Sequence, residues 1–406
     1  MTIAVTNGYV VPVDGEPIDG GTVLIDNGKI VAVGADVEVP EGAEIVDATG
    51  SWVLPGFVEA HAHVGVYEEG EGWAGQDTNE MTDPVTAKVR AIDAINPDDE
   101  GFRDALSGGV TTLVVKPGSG NVIGGHTVAV KAWGRTVEDM LLRDPVSMKS
   151  ALGENPKRVY GDKKVMPSTR LGVAAIIREA LTKAQDYKAR KEHAAGEGKP
   201  FDRDLTNEAL VAVLDGDVPW CQHSHRADDI ATAIRLADEF GYRLVINHGT
   251  EAHLLADLLA ERDIPVVTGP LIVGRSKVEV RRRDFRNPGI LARAGVRIAL
   301  TTDAPVVPIN FLVHQATFAV KEGLDPVEAI RSITVNPAEM LDLGDRVGAL
   351  KPGLDADIVI WSGDPLDVMS RAMRVFIEGR EVYHFDETTG LGVTKNAFYT
   401  EAMPTS

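Results

Sequence analysis

The residues best suited to chemistry are two histidines, one residue apart, at the end of an apolar run. Residues 52–65 read WVLPGFVEAHAHVG and contain His61 and His63. Alternate side chains of a β-strand point to the same face, so both imidazoles are expected to aim at one point. Imidazole is a common ligand of zinc and related divalent ions. The pair indicates a metal site, although two surface histidines also occur at this spacing by chance.

Further ionisable residues lie within or directly after other strand-like runs. They are Lys149 in VSMKSA, His223 and His225 in CQHSHR, His248 in VINHGT, and Asp303 in ALTTDAP. In an α/β barrel the carboxyl ends of the strands form the catalytic face. Each residue alone has a structural interpretation, such as a capping aspartate or a hydrogen-bonded core histidine. Together they favour a single site, because separate explanations for all of them are improbable.

The elements that must position these residues follow two patterns. Residues 1–55 form short β-rich runs with an Asn-Gly hairpin turn at 26–29, which is typical of a small sheet. From residue 56, apolar runs alternate with helical stretches, which predicts a parallel sheet. These strand-like runs are 56–60, 110–115, 146–151, 219–222, 243–247, 264–268 and 296–301. The predicted fold class is α/β.

The predicted domains follow from this change of pattern. Residues 56–347 are expected to form a (β/α)8 TIM barrel, because such barrels need about 250 residues or more. Residues 348–385 return to strand-like runs and are expected to join residues 1–55 in one composite β-sandwich. Residues 156–206 interrupt the rhythm and are interpreted as an insertion over the barrel mouth or a dimer contact, with an amphipathic helix at 176–193. Residues 386–406 are expected to form a loosely ordered tail.

Composition limits the class of protein. The chain has 406 residues, a formal net charge of −20 and one cysteine, Cys221. The acidic charge argues against nucleic acid and anionic membranes as partners. No signal peptide or membrane-length apolar run is visible, so a cytoplasmic enzyme that acts on a small molecule is expected. A homo-oligomer is compatible with the sequence.

The chain resembles the amidohydrolase superfamily of metal-dependent hydrolases over nearly its full length. The resemblance rests on VLPGFVEAHAH at 53–63, HSHR at 223–226, HGT at 248–250, TDAP at 302–305 and KPGLDAD at 351–357. The leader DNGKIVAV and the segment NPAE at 336–339 also fit. Within the superfamily, the chain looks most similar to the imidazolonepropionase-like and Xaa-Pro-dipeptidase-like branches.

The resemblance implies a site that holds one or two divalent metals, expected to be zinc. The implied ligands match the histidines and the aspartate at strand ends: His61, His63, His223, His248 and Asp303. Asp303 would also take the proton from the attacking water, whose pKa a bound metal lowers toward about 7. Lys149 matches a carboxylated lysine that bridges two metals in binuclear members. Glu154 is a rival for that position.

Other residues are candidates for substrate contact. His225 is expected beside the ligands, facing substrate, although which of His223 and His225 binds metal stays open. Arg226 is expected either to anchor a carboxylate or to pair with Asp228 or Asp229. Asn121 and His126 belong to a glycine-rich stretch, residues 116–126, that is interpreted as a mobile loop at the barrel mouth. Residues 281–283, three consecutive arginines, are expected on a solvated loop.

The predicted function is metal-dependent hydrolysis of a C–N bond in a small cyclic amide or peptide-like molecule. The main alternative is a mononuclear ring deaminase or an imidazolone-type cyclic amide hydrolase. A remote alternative from another class is a non-catalytic relative that uses the barrel for assembly. Missing ligands would indicate such a relative, and here every expected ligand position is filled.

Overall fold

The computed structural model describes residues 1–395, which form three sheets and the helices around them. The strands, in chain order, are β1 (Thr2–Val10), β2 (Ile18–Asp26), β3 (Lys29–Gly34), β4 (Glu44–Asp47), β5 (Trp52–Pro55), β6 (Phe57–Ala62), β7 (Val110–Val115), β8 (Ile123–His126), β9 (Val128–Lys131), β10 (Leu141–Arg143), β11 (Met148–Ala151), β12 (Trp220–Ser224), β13 (Leu244–His248), β14 (Val266–Thr268), β15 (Ile298–Leu300), β16 (Ile358–Trp361), β17 (Ala372–Ile377), β18 (Arg380–Asp386) and β19 (Leu391–Thr394).

Most of the helices lie between the strands of the central region. In chain order they are α1 (Glu100–Ser107), α2 (Val137–Met140), α3 (Glu154–Asp162), α4 (Arg170–Gly196), α5 (Leu205–Leu214), α6 (Ala227–Phe240), α7 (Ala256–Glu261), α8 (Asn287–Arg293), α9 (Leu312–Lys321), α10 (Pro326–Arg331) and α11 (Val335–Met340). Short 3-10 helices span Ala91–Ala94, Ala252–Leu255, Val278–Val280 and Ile309–Phe311. Within residues 1–395, no helix has both the length and the apolar character needed to cross a membrane.

A nine-stranded sheet is built from both ends of the described chain. Its strand order is β19-β18-β17-β16-β5-β1-β2-β3, with β4 paired to β1. The two ends meet where β5 and β16 pair antiparallel, with Val53 opposite Ile360. Strands from the late part of the chain thus lie in the same sheet as the N-terminal strands. The sheet extends further than expected, because residues 391–394 of the predicted loose tail form β19; residues 396–406 of that tail lie outside the described residues.

The other two sheets carry the strands that the alternating pattern predicts. One has the order β10-β9-β7-β6 and the other β15-β14-β13-β12-β11-β8. Strands β6 and β7 are parallel, and so are β11 to β15. All seven predicted strands are present, with bounds that differ by a few residues. The carboxyl ends of the parallel strands in each sheet therefore lie at one edge.

The glycine-rich stretch after β7 is a loop only over residues 116–122, whereas the sequence interpretation had a loop throughout. Its end forms β8, and only Thr127 separates β8 from β9. Strand β8 pairs antiparallel with β11, and β9 pairs antiparallel with β7. Gly125 has φ +126°, and a Cβ there would lie 2.3 Å from the carbonyl oxygen of Val89. This glycine permits a close backbone approach, and the stretch links the two sheets.

The segment 156–206 is mostly helical and partly buried. It contains most of α3, all of α4 and the first residues of α5. The amphipathic helix predicted at 176–193 begins earlier and ends later, as α4. Its residues Val173, Ile177 and Leu181 are buried in the main hydrophobic core. This segment therefore contributes one face of α4 to the core.

A buried ion cluster joins the nine-stranded sheet to β9. The Nζ of Lys131 lies 2.8 Å from Asp355 Oδ2 and 2.7 Å from Asp357 Oδ2. Asp355 also accepts hydrogen bonds from Lys29 and Arg346. The two aspartates precede β16, so the cluster fixes that strand against the central region.

Candidate functional site

Five histidines from three strands meet at one edge of the central sheets. His61 lies in β6 and His63 directly follows it, His223 lies in β12 and His225 directly follows it, and His248 ends β13. Their ring centroids are 4.5–5.3 Å apart along the chain of contacts His63–His61–His248–His223–His225. The period-2 geometry of β6 and β12 therefore places both members of each pair in one cluster.

Two of these histidines share Asp303, which follows β15. Nε2 of His61 and Nε2 of His63 each lie 3.3 Å from Oδ1 of Asp303. The three residues form a group whose ligand atoms lie within 4.8 Å of one another. This is the arrangement that a divalent cation requires of two imidazoles and one carboxylate.

Hydrogen bonds on the far side of each ring fix its tautomer. Nδ1 of His61 donates to Oδ1 of Asn247 at 3.0 Å, and Nδ1 of His63 donates to the carbonyl oxygen of Lys116 at 2.7 Å. Nδ1 of His248 donates to the carbonyl oxygen of Gly269 at 3.0 Å. Because these oxygens accept, the three Nε2 atoms carry lone pairs. Such second contacts orient the histidine ligands of metal sites.

A second group of potential ligands lies beside the first. It consists of His223, His225 and Glu279, again with ligand atoms within 4.8 Å of one another. His223 Nδ1, His225 Nε2 and Glu279 Oε2 are buried and have no hydrogen-bond partner among the described residues. Buried polar atoms are rarely left unpaired. These orphaned atoms, like Oδ1 of Asp303, fit a site that binds a ligand.

The backbone is strained where two of the candidate ligands project into the site. His248 has φ +71° and Asp303 has φ +53°, both in the left-handed region. Residues other than glycine rarely adopt this region, and such strain is concentrated at functional sites. The N–H of Asp303 donates to Oγ1 of Thr301 at 3.0 Å, which supports the unusual turn.

The charge states of the cluster suit a metal. Burial lowers the pKa values of His61 and His223 well below the usual histidine value, and it lowers the pKa of His248 to about 4. Burial alone would raise the pKa of Asp303, but His248, His63 and Lys149 together lower it to about 2. At neutral pH these three histidines are therefore neutral imidazoles and Asp303 is a carboxylate, the forms that bind metal.

Lys149 lies in the cluster, whereas its rival Glu154 does not. Lys149 is fully buried in β11, with Nζ 3.1 Å from Nε2 of His61, and burial lowers its pKa to about 7. Glu154 begins α3 and exchanges hydrogen bonds with Glu279: its N–H donates to Oε1, and its Oε2 accepts from the Glu279 N–H. The geometry therefore favours Lys149 over Glu154 as the β11 contribution.

The cluster forms the floor of a cavity of about 550 Å³. All five histidines, Lys149 and Asp303 line it, together with loop residues that include Asn155, Thr250 and Lys277. A cleft of about 640 Å³ at the amino ends of β12–β15 contains no histidine, and its Arg243 and Arg262 pair with Asp342 and Asp238. The histidine-lined cavity is therefore the candidate active site.

Three predicted substrate contacts do not reach the cavity. The side-chain amide of Asn121 donates to the carbonyl oxygens of Glu80 and Asp83, and thus holds a loop. His126 ends β8, and the antiparallel direction of β8 carries it away from the edge where the other histidines meet. Nε and Nη2 of Arg226 donate to the two carboxylate oxygens of Asp228. This pairing is one of the two alternatives that the sequence left open for Arg226. His225 alone of the four lines the cavity.

Sequence reasoning also missed residues that the fold brings to the site. Glu279, Lys277 and Arg283 belong to the polar segment after β14, which has no periodic pattern to indicate burial. Arg283 lines the cavity and has a buried Nε and Nη1, so the expectation of a solvated arginine run is wrong at this position. The one sequence signal that could have indicated a place at the site is that the segment follows β14, a strand of the sheet that carries His223 and His248.

Comparison with known proteins identifies relatives over most of the chain. The Amidohydrolase family matches residues 52–384. An amidohydrolase from Thermotoga maritima MSB8 has a similar structure, with 47% identity and a TM-score of 0.92 over 94% of this chain and 100% of that chain. Amidohydrolase tasK of Hapsidospora irregularis is 32% identical over 88% of this chain, but the match covers 39% of that protein.

More distant relatives differ in name. An adenine deaminase of Listeria monocytogenes is 25% identical over 88% of this chain and 54% of its own length. An imidazolonepropionase of Acidiphilium cryptum is 27% identical over 86% of this chain and 89% of its own length. The chain spans about half the length or less of the first curated relatives that it matches, tasK and the adenine deaminase. The predicted membership of the amidohydrolase family is confirmed, and imidazolonepropionases are among the proteins similar to this chain.

Proposed function

The chain belongs to the amidohydrolase family, and we propose that it is a metal-dependent hydrolase that cleaves a C–N bond in a small molecule. The observation that carries this proposal is the convergence of His61 Nε2 and His63 Nε2 on Asp303 Oδ1. The end of β6, the residue that follows it and the turn after β15 thus offer three ligand atoms to one point, on the floor of a cavity. A small amide that enters this cavity meets that point.

We infer that the ligands are His61, His63, His223, His248, Asp303 and Lys149, and that the metal is zinc. A bound divalent ion supplies Lewis acidity and lowers the pKa of water toward about 7. One or two ions per chain fit the donor set. A carboxylated Lys149 would supply the additional anion for a second ion, whereas a free ammonium beside His61 would oppose the binding of any cation. The buried amine, with a pKa of about 7, supports carboxylation because the neutral form reacts with CO2.

The side chains of the site have distinct roles in the proposed reaction. Asp303 accepts a proton from the attacking water and passes it to the leaving nitrogen, for which its low pKa keeps it ionised at the start. Asn247 and the backbone at Lys116 and Gly269 hold the three histidine rings in the orientation that the ligands need. His225, hydrogen-bonded to Thr250, lies beside the ligands and is placed to contact substrate.

The architecture that supports this site is proposed to be a (β/α)8 barrel. The linked β8 and β9 join the two central sheets on one side. On the other side, the N–H of His63 donates to the carbonyl oxygen of Ala304 at 2.8 Å, and Oγ1 of Thr301 donates to the carbonyl oxygen of His61 at 2.9 Å. Strands β6 and β15 are therefore neighbours, as barrel closure requires.

Metal analysis and a substrate screen test the proposal. Purified protein and the variants Lys149→Ala and His223→Ala are analysed for bound metal, and the metal-loaded wild type is screened with cyclic amides, dipeptides and N-acyl amino acids. We expect the metal-loaded protein to hydrolyse a C–N bond in at least one of these compounds, and removal of the metal by a chelator to abolish this activity. Equal stoichiometry near one in the wild type and Lys149→Ala would exclude the binuclear site. Metal-loaded protein without turnover of any C–N bond would contradict the function.

A ring deaminase is the second candidate, because the adenine deaminases match over most of this chain. Deamination also breaks a C–N bond and releases ammonia. A mononuclear site would favour it, because a carboxylated Lys149 would then not be needed. Ammonia release from purines and related rings, measured beside the amide screen, distinguishes the two activities.

A further inference from the structure

The cavity is positively charged although the protein is acidic. The chain has a formal net charge of −20. Apart from histidines, tyrosine and the candidate ligand Lys149, the ionisable residues of the cavity wall are Arg158, Lys277, Arg283 and a single carboxylate, Asp303. A concave site lined by one sign of charge concentrates ligands of the opposite sign. Because the protein as a whole is acidic, the excess of cationic side chains in this cavity points to an anionic ligand.

Arg283 is the side chain that lacks a partner most clearly. Its Nε and Nη1 are buried and make no hydrogen bond, and no carboxylate of residues 1–395 lies within ion-pair distance of it. Its guanidinium carbon lies 4.5 Å from the centre of the Phe285 ring, which itself packs edge-on against Phe318. This aromatic support fixes the plane of the guanidinium, while its donors remain unused.

Two further cations, Lys277 and Arg158, line the same cavity. Neither forms an ion pair with a carboxylate of residues 1–395. Nζ of Lys277 makes one long contact, at 3.5 Å, with Oδ1 of Asn155. Burial lowers the pKa of Lys277, the charges of Glu279, Asp303 and Glu154 act to raise it, and that of Arg158 lowers it. Burial and the nearby Arg275 likewise lower the pKa of Arg283. Arg283, unlike Lys277, has no carboxylate that acts on it among the described residues, so an anionic ligand would stabilise this part of the wall.

We propose that the substrate carries a carboxylate besides its scissile C–N bond, and that Arg283, assisted by Lys277, binds this carboxylate. This inference rests on the proposed function, since it names the substrate class for the same cavity. The planar guanidinium of arginine matches a carboxylate with two parallel hydrogen bonds, and lysine adds a point charge. The favoured substrates are N-acyl amino acids, dipeptides and cyclic amides that bear an acid group. Neutral ring substrates leave these donors unpaired.

Matched ligand pairs test the inference without requiring turnover. N-acetyl-L-leucine is compared with its uncharged analogue N-acetyl-L-leucinamide, and a succinamate with succinamide, by calorimetric titration of the metal-loaded protein. The acid of each pair is expected to bind more tightly than the amide by roughly 10- to 100-fold, because hydrogen bonds to charged groups are the stronger ones. Raising the salt concentration should reduce this preference.

Two variants on the same loop separate the cavity arginine from its neighbours. Arg283→Met removes the cavity cation and should erase most of the preference for acids, whereas Arg282→Met removes an exposed arginine next to it and should not. Near-ultraviolet circular dichroism and bound metal check that both variants are folded and loaded. Arg283→Lys should restore part of the preference, since charge returns without the fork.

The outcomes distinguish this inference from the function on which it rests. Hydrolysis of neutral amides alone, with equal binding of acids and amides, would overturn the carboxylate site and leave the hydrolase intact. Arg283-dependent binding of acids without hydrolysis of any C–N bond would support the site and contradict the function. A preference for phosphonate analogues over carboxylates, or a preference that survives in Arg283→Met, would assign the cationic wall to another ligand and overturn the inference.

Discussion

Replacing Lys131 by methionine should destabilise the protein strongly. Lys131 is 4% exposed, and its partners Asp355 and Asp357 are 0% and 4% exposed. After the change, Asp355 keeps Arg346 and Lys29, but Asp357 has no other cation within ion-pair distance in residues 1–395. Its remaining charge-stabilising contact is the N–H of Glu378, at 3.0 Å from Oδ1. Removing one partner of a buried pair typically costs about 3–5 kcal/mol, and we expect a loss in that range.

Urea unfolding followed by tryptophan fluorescence and circular dichroism measures this loss. The matched control is Lys183→Met, which removes a lysine whose pair with Glu179 is 66% and 62% exposed. Such surface pairs contribute about 0–1 kcal/mol, so the control should unfold almost as the wild type does. If the free energy of unfolding falls no more in Lys131→Met than in the control, the reasoning is refuted that these ions are excluded from water and that Asp357 depends on Lys131.

The same variant has a defined pH dependence. Burial would raise the pKa of Asp355, but hydrogen bonds and charges from Arg346, Lys131 and Lys29 lower it to about 2. A carboxyl group whose pKa is lowered by folding stabilises the protein above its ordinary pKa, and this stabilisation is lost as the pH falls from about 4 toward 2. The difference in free energy of unfolding between wild type and Lys131→Met should therefore shrink on acidification. The double variant Lys131→Met/Asp357→Asn should recover part of the loss at neutral pH, because it removes the unpaired charge.

Three other predictions concern the site and the strand that links the sheets. Asp303→Asn should fold normally but lower kcat by about 10²–10⁴-fold on any substrate found in the screen; a variant with more than about a tenth of wild-type turnover would exclude Asp303 as the base. Asn247→Ala should weaken metal binding by about 10–100-fold, since His61 loses the acceptor that orients its ring; competition with a chelator measures this, and unchanged affinity would exclude the orienting role. Gly125→Ala should lower the free energy of unfolding by about 1–3 kcal/mol, because its Cβ meets a backbone oxygen at positive φ; the control Gly196→Ala, with open space around it, should have no such loss.

The sequence predicts the strands of the central sheets and the clustering of the histidines well, because both depend on short-range patterns. Apolar runs of four to six residues mark the buried parallel strands, and the two-residue period of β6 and β12 places His61 with His63 and His223 with His225. Position at a strand end adds His248 and Asp303. None of these inferences needs knowledge of which loops fold over the sheet edge.

The errors arise where tertiary contacts override the local pattern. The glycines of 116–126 look like a flexible loop, but Gly125 serves a close backbone approach, and the resulting strand runs antiparallel and removes His126 from the site. The carbonyl oxygens that occupy the Asn121 amide come from residues 80–83, which no spacing connects to it. Arg283 reads as one of three solvated arginines, because its burial depends on how the loop after β14 returns over the cavity.

The pairing of β5 with β16 also constrains how the protein is made. About 300 residues separate these strands along the chain, so at roughly 5–20 residues per second the ribosome needs some tens of seconds between them. During that interval the edge of β5 has no neighbour on that side, and Lys131 is already synthesised while Asp355 and Asp357 are not. Unpaired strand edges recruit other chains. The amino-terminal strands therefore stay open to other chains until β16 is made, and completion of the nine-stranded sheet is a late step in folding.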